Sequence, residues 1–282
     1  MLARMREKFL AMFRILDTVS IALRRERYER LRESRRETDP LSPAGYAYKV
    51  YSQSDEDGVL AEIFRRVGTE SRVFVEFGVG DGLENNTVAL LLQGWTGLWI
   101  EGSPEFARRI RNGFSSLLGS GRRKLIESFV TPENIDGLIM GGLGQVPVDL
   151  LSVDIDGNDA HVLSRITGIR PRVVVVEYNA KFGPSIDYRM PYRENYAWRK
   201  SDRFGASLKH FEDLLGARGY SLVCCNVVGT NAFFVRQDLL SGQFGTEFTA
   251  QRRFEPARYE LVGLPSGHPS TYQTIDEAME GR

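Results

Sequence analysis

Two groups of residues in this chain have the types and spacing to do chemistry. The first is Glu76, Gly78, Gly80, Asp81 and Gly82, in the stretch VFVEFGVGDG. An apolar run that ends in an acid, followed by glycines at every second position, describes a strand that stops abruptly and a loop whose backbone a ligand can approach. Glycine permits that approach because it has no Cβ and tolerates positive φ. Residues 85–93, with Asn86 near their start, are predicted to form a helix whose N-terminal amides face the same ligand. The second group is acidic. LLSVDIDGND brings Asp154, Asp156, Asn158 and Asp159 close together, and VVVVEYN adds Glu177 and Asn179. So many carboxylates near one site repel one another unless a cation or a bound proton compensates. Asp154, Asp156, Glu177 and Asn179 form an oxygen set suited to Mg²⁺. The same residues also read as metal-free catalytic or substrate contacts, or as a simple turn and helix cap. Asp154 and Asp156 lead as metal ligands or proton acceptors. His161, in the first turn of the next helix, and Lys181, just past the next strand, are further candidate bases.

These groups need elements to hold them. Strands are predicted over 73–77, 97–101, 124–129, 148–154 and 173–177, with helices over 85–93, 104–118, 132–140 and 159–166 between them. Strands and helices alternating at this spacing imply an α/β fold with a doubly wound, Rossmann-like sheet. Residues 221–228 and 231–236 flank Gly229-Thr230 and read as an antiparallel hairpin, giving seven strands in all. Ligands in such sheets sit beyond the carboxyl ends of the strands, where the glycine loop, Glu101, Asp154 and Glu177 all fall. Before the first strand, Ser54 or Asp55 is a plausible helix cap, and Gln53 and Asp57 can reach a ligand at that strand's end. Residues 181–204 break the rhythm with aromatic and basic side chains and read as a lid. The expected division is an N-terminal helical arm and linker (1–46), a main domain (47–240) and a tail packed on it (241–282).

Composition sets the limits. With 42% hydrophobic and 26% charged residues, the chain can build an ordinary globular core. Lys+Arg (37) equals Asp+Glu (37), so no global basic field points to nucleic acid. The balance is uneven: residues 1–36 hold eleven basic and five acidic side chains, +6, which leaves −6 for the rest. Leu2, Met5, Phe9, Met12, Leu16, Val19 and Leu23 alternate three and four apart on a long predicted helix, a heptad-like seam that Thr38-Asp39-Pro40 ends. The seam is expected to pack on its own domain or on a second copy of the chain, and attachment to an anionic membrane surface is the lesser reading. Cys224 and Cys225 are neighbours on a strand and point to opposite faces, so they are expected to be reduced thiols in a cytoplasmic protein. No apolar run is long enough to span a bilayer, and Arg14 and Asp17 interrupt any secretory signal.

The glycine loop separates two cofactor classes. Dinucleotide dehydrogenases require G-x-G-x-x-G, and Leu83 stands where the third glycine would be. The pattern present, E-x-G-x-G-x-G from Glu76 to Gly82, resembles motif I of class I S-adenosylmethionine-dependent methyltransferases. Glu101, ending the next strand in GLWIEGSP, can accept both hydroxyls of a ribose. Together with Y-S-Q-x-x-E-D at 51–57, VTPENI at 130–135 and SVDIDGND at 152–159, the chain is similar to the FkbM-like branch of that family over roughly residues 51–236. The resemblance implies S-adenosylmethionine as cofactor, bound among Gln53, Asp57, Glu76, Gly78, Gly80, Asp81, Gly82, Asn86, Glu101, Gly102, Ser128, Phe129 and Asp154, with Phe129 packed on the adenine. It implies methylation of hydroxyls on a small-molecule acceptor, a sugar or natural product. Catechol O-methyltransferase-like enzymes place a metal at this point of the fold. The chain departs from the family where a D-x-E-G motif appears as Asp154-Ile155-Asp156-Gly157, a shorter acid. Tyr188, Tyr192, Arg193, Tyr196 and Trp198 of the lid are the expected acceptor contacts, the aromatic rings suiting sugars and the basic groups suiting carboxylate or phosphate. Alternatives are N-methylation, a NAD-dependent oxidoreductase, and a non-catalytic scaffold that oligomerises through the N-terminal helix.

Overall fold

The structure, a computed structural model, describes residues 2–119, 121 and 123–280. Its centre is β1 (Val73–Phe77), every residue of which is buried. Val73, Val75 and Phe77 belong to one hydrophobic cluster and Phe74 to another on the opposite face, as the two-residue period of a strand requires. β2 (Thr96–Glu101) and β3 (Arg123–Glu127) continue the sheet on one side of β1, and β4 (Leu150–Val153) and β5 (Val173–Glu177) on the other. All four of these pairings are parallel. The hairpin β6 (Tyr220–Cys225) and β7 (Asn231–Arg236) completes a seven-stranded sheet, order β3-β2-β1-β4-β5-β7-β6, with β7 antiparallel to β5 and β6. Chain direction across the sheet reverses between β1 and β4, the switch point where α/β sheets open a crevice. The Rossmann-like fold expected from the sequence is therefore present.

Helices cover both faces. α1 (Leu2–Thr38) and α2 (Glu56–Val67) precede the sheet, and α3 (Val88–Leu92) follows β1. α4 (Pro104–Gly113), α5 (Ser115–Gly119), α6 (Ile135–Leu143) and α7 (Asp159–Leu163) come between the later parallel strands. α8 (Leu208–Gly216) leads into the hairpin, and α9 (Ala250–Arg253) and α10 (Tyr272–Glu280) lie in the tail. Two predicted helices differ for local reasons. Asn85 accepts from the amides of Thr87 and Val88, so the helix expected from residue 85 begins only at Val88. The helix expected over 104–118 breaks at Phe114, whose ring is fully buried against Trp99 and Tyr272.

α1 has two halves. From Arg24 onward it grips the body: Tyr28 donates to Asp55 at 3.2 Å, Arg27 pairs with Glu260 at 2.7 Å, and Arg35 bonds Glu255 at 3.0 Å. Towards its N-terminus the seam residues Met5, Phe9, Met12, Leu16, Val19 and Leu23 are exposed. Cys224 and Cys225 are buried free thiols. No helix among the described residues is long and apolar enough to cross a membrane.

Candidate functional site

A cleft of about 1320 Å³ opens at the carboxyl ends of β1, β2, β4 and β5. The three glycines of the loop after β1 do different things. At Gly78, φ +80°, an added Cβ would lie 1.4 Å from the carbonyl oxygen of Asp154, so only glycine lets the loop cross the end of β4. At Gly80, φ +57°, nothing lies within 4 Å and the backbone faces the cleft. Gly82 packs inward, where a Cβ would press on Trp99, Phe114 and Ile110. Glu101 ties this loop to β2 by accepting from Gly80 N at 2.9 Å and from Ser103 N at 2.7 Å. Each carboxylate oxygen retains capacity for a ligand hydroxyl. Glu76 accepts from Asn86 N and the Thr87 hydroxyl, which in turn accepts from Trp99 Nε1. Burial pushes the Glu76 carboxyl up to about 7.

The acids at the ends of β4 and β5 divide into one that closes a turn and three that converge. Asp159 accepts from Ile155 N and Gly157 N, both at 2.8 Å, and closes the turn. Burial raises it to about 6. Asp154, Asp156 and Glu177 each offer a carboxylate oxygen within 4.8 Å of the others. Asp154 and Glu177 are held well above the ordinary carboxylate range, first by burial and then by the neighbouring acids. Asp156 takes φ +58°, which turns its carboxylate back toward the set. Asn179 is occupied elsewhere: its Nδ2 donates to the carbonyls of Asp202 and Phe204, and its Oδ1 accepts from Lys181 N. It fastens the base of the lid.

Of the expected donor contacts, Gln53, Glu76, Gly78, Gly80 and Asn86 line the cleft, as do Glu101, Gly102, Phe129 and Asp154. Asp57, Asp81, Gly82 and Ser128 stand off it. Asp57 accepts from the amides of Val50, Tyr51 and Ser52 and holds the segment before α2. In the lid, Tyr196 and Trp198 line the cleft. Tyr188 instead stacks on Phe182 at 3.9 Å, Tyr192 meets His161 edge-on, and the Arg193 backbone is held by Asn158. His161 turns Nε2 to the Met190 carbonyl at 2.7 Å, away from the cleft wall, and Lys181 on the wall pairs with Asp202 at 3.1 Å. No arginine lines the cleft among the described residues, and the basic groups of the lid that reach its wall are Lys181 and Lys200.

Sequence reading missed Glu56, Thr230, Asn231 and Tyr259, all on the cleft wall. Glu56 is 1% exposed, and its carboxylate accepts from Ser54 N and from the amides of Asn226 and Asn231. The E of Y-S-Q-x-x-E-D was the available signal, but it is masked by its likeness to an acidic helix start. Tyr259 belongs to the tail, where sequence offers no pattern.

No family model matches the chain, and no curated protein matches it. The solved structures it is similar to include three methyltransferases. One is the magnesium protoporphyrin IX methyltransferase of Synechocystis PCC 6803 with bound SAM (12% identity, 64% of this chain and 77% of that one, TM-score 0.40). Another is an S-adenosylmethionine-dependent methyltransferase of Clostridium acetobutylicum (12% identity, 62% and 88%, TM-score 0.38). The third is the glycopeptide N-methyltransferase MtfA complexed with sinefungin (12% identity, 67% and 89%, TM-score 0.39).

Proposed function

We propose that this protein is an S-adenosylmethionine-dependent methyltransferase acting on a hydroxyl of a sugar or natural-product acceptor. One observation carries the reading: Gly80, the open glycine of the loop, is tied to Glu101, and both face one cleft with the acids of β4 and β5. In this reading Glu101 receives the ribose hydroxyls, and the exposed ring of Phe129 packs on the adenine. The methionine end of the donor then lies over the loop, beside Gln53 and Asn86.

S-adenosylmethionine supplies a methyl carbon made electrophilic by its sulfonium, so the protein's own tasks are alignment and proton removal. The acceptor oxygen bonds to the methyl carbon, the carbon–sulfur pair stays on sulfur, and the hydroxyl proton passes to Asp154 or Asp156. Burial raises both carboxyls above the ordinary carboxylate value, which favours their taking up a proton. Tyr196 and Trp198 orient the acceptor and exclude water, aromatic faces suiting sugar rings. Mg²⁺ fits the three converging carboxylates, since hard cations take oxygen ligands. Asp154, Asp156 and Glu177 would hold it, and it would lower the pKa of the acceptor hydroxyl. The exposed seam of α1 lies outside this chemistry and is the surface on which self-association would rest.

Calorimetric titration with S-adenosylhomocysteine, the demethylated donor, tests the reading. The wild type is expected to bind one equivalent, and Glu101→Ala to bind at least about tenfold more weakly, about 1.4 kcal/mol. No heat from either S-adenosylmethionine or its product would sink the proposal, and saturation by NAD would replace it with the oxidoreductase alternative.

A further inference from the structure

Asn231 opens β7 directly opposite Glu177 of β5. Directly opposed residues on neighbouring antiparallel strands project from the same face, and both line the cleft. Asn231 is 7% exposed. Its Nδ2 donates to Glu56 Oε1 at 2.9 Å. Glu56 receives two further donors, Asn226 Nδ2 and Ser54 N, as an acceptor-only carboxylate does. An amide whose nitrogen is committed to a carboxylate turns its oxygen the other way. Oδ1 of Asn231 accepts from no group among the described residues. An amide oxygen without a donor, on the same face as Glu177 and on the cleft wall, thus accompanies three converging carboxylates.

We propose that Asn231 Oδ1 completes a divalent-cation site with Asp154, Asp156 and Glu177, and that Glu56 is the positioning residue that fixes which end of the amide meets the metal. Asn179 cannot take this place while its amide anchors the lid. The donor set is all oxygen, the preference of Mg²⁺, Mn²⁺ or Ca²⁺ rather than of a softer metal. This proposal rests on the metal-assisted part of the function proposed above, but its test does not depend on turnover.

The experiment measures Mn²⁺ binding to the full chain by loss of the free-ion electron paramagnetic resonance signal, with Mg²⁺ as competitor. Binding of S-adenosylhomocysteine is measured on the same samples by calorimetry. The wild type is expected to bind one Mn²⁺ that Mg²⁺ displaces. Asn231→Leu should weaken Mn²⁺ at least about tenfold with the cofactor affinity unchanged, and Glu56→Gln should weaken it about tenfold, the range of orienting partners. The double variant Glu56→Gln/Asn231→Asp should recover most of the wild-type affinity, because a carboxylate presents oxygen at either end. A purely structural role for Glu56 predicts no such recovery. If Asn231→Leu fails to fold, Asn231→Ser, which shortens the oxygen's reach, replaces it. Wild-type protein that leaves Mn²⁺ free, Asn231→Leu that binds it normally, or a double variant as weak as Glu56→Gln overturns the proposal. Cofactor binding without Mn²⁺ binding leaves the methyltransferase reading standing, and the reverse outcome leaves the cation site standing alone.

Discussion

Asp154 leaves β4 with its carboxyl held well above the ordinary range and with two other acids in reach. Asp154→Asn keeps the shape and removes the base. The expected outcome in single-turnover methyl transfer is a loss of roughly 10²–10⁴ in rate, the usual worth of a positioned base, with S-adenosylhomocysteine binding preserved. A variant with wild-type turnover would remove Asp154 from the chemistry. Glu76 makes a different prediction. Its carboxyl sits at about 7 in the fold, against an ordinary value of 4.5. The folded state thus holds this proton more tightly, and the stabilisation is full below 4.5 and lost as pH rises to about 7. Asp159, at about 6, acts in the same direction. The melting temperature of the ligand-free protein should fall across that window, and Glu76→Gln should flatten the slope without abolishing it. An unchanged slope would contradict the burial of this acid. The acids at the strand ends were legible in the sequence because a strand followed by a turn fixes where they emerge. Glu56 and Asn231 were not, because their meeting joins α2 to the start of β7, a contact that no local pattern encodes.

Between residues and the whole lie the segments that close the cleft. The lid was legible as an interruption of the strand–helix rhythm, too long for an ordinary connection. Which of its side chains face inward was not, because stacking and backbone anchors turn Tyr188, Tyr192 and Arg193 aside. Asn179 fastens this segment through two carbonyls. Losing it leaves groups unpaired at a cost of about 1–3 kcal/mol. Asn179→Ala should therefore speed tryptic cleavage near Arg199 and Lys200 about tenfold and raise the acceptor KM, with cofactor affinity unchanged. Equal cleavage rates in the two proteins would show that the lid is held by other contacts. The helix expected over 104–118 shows the opposite limit. Burial of Phe114 between Trp99 and Tyr272 divides it into α4 and α5.

At the scale of the molecule, the parallel, doubly wound sheet followed from the alternation of apolar runs with helical segments, because parallel strands require crossover connections, whereas the strand order was not legible there. The tail did not follow. Its buried apolar anchors, Phe244, Ala250, Leu261, Ile275 and Met279, are spread along a polar stretch with only Ile275 and Met279 at helical spacing. Yet it supplies Tyr259 to the cleft, and Glu260 beside it is held by α1 through Arg24 and Arg27. The tail and the glycine loop thus line one opening, and α1 holds the tail beside it. A crystal structure with S-adenosylhomocysteine bound tests most directly whether that opening is a methyl-donor site. The expected result is ribose hydroxyls within about 3 Å of the Glu101 carboxylate, with the sulfur facing Asp154 and Asp156. A ribose placed away from Glu101, or a sulfur turned away from the acids, would contradict it.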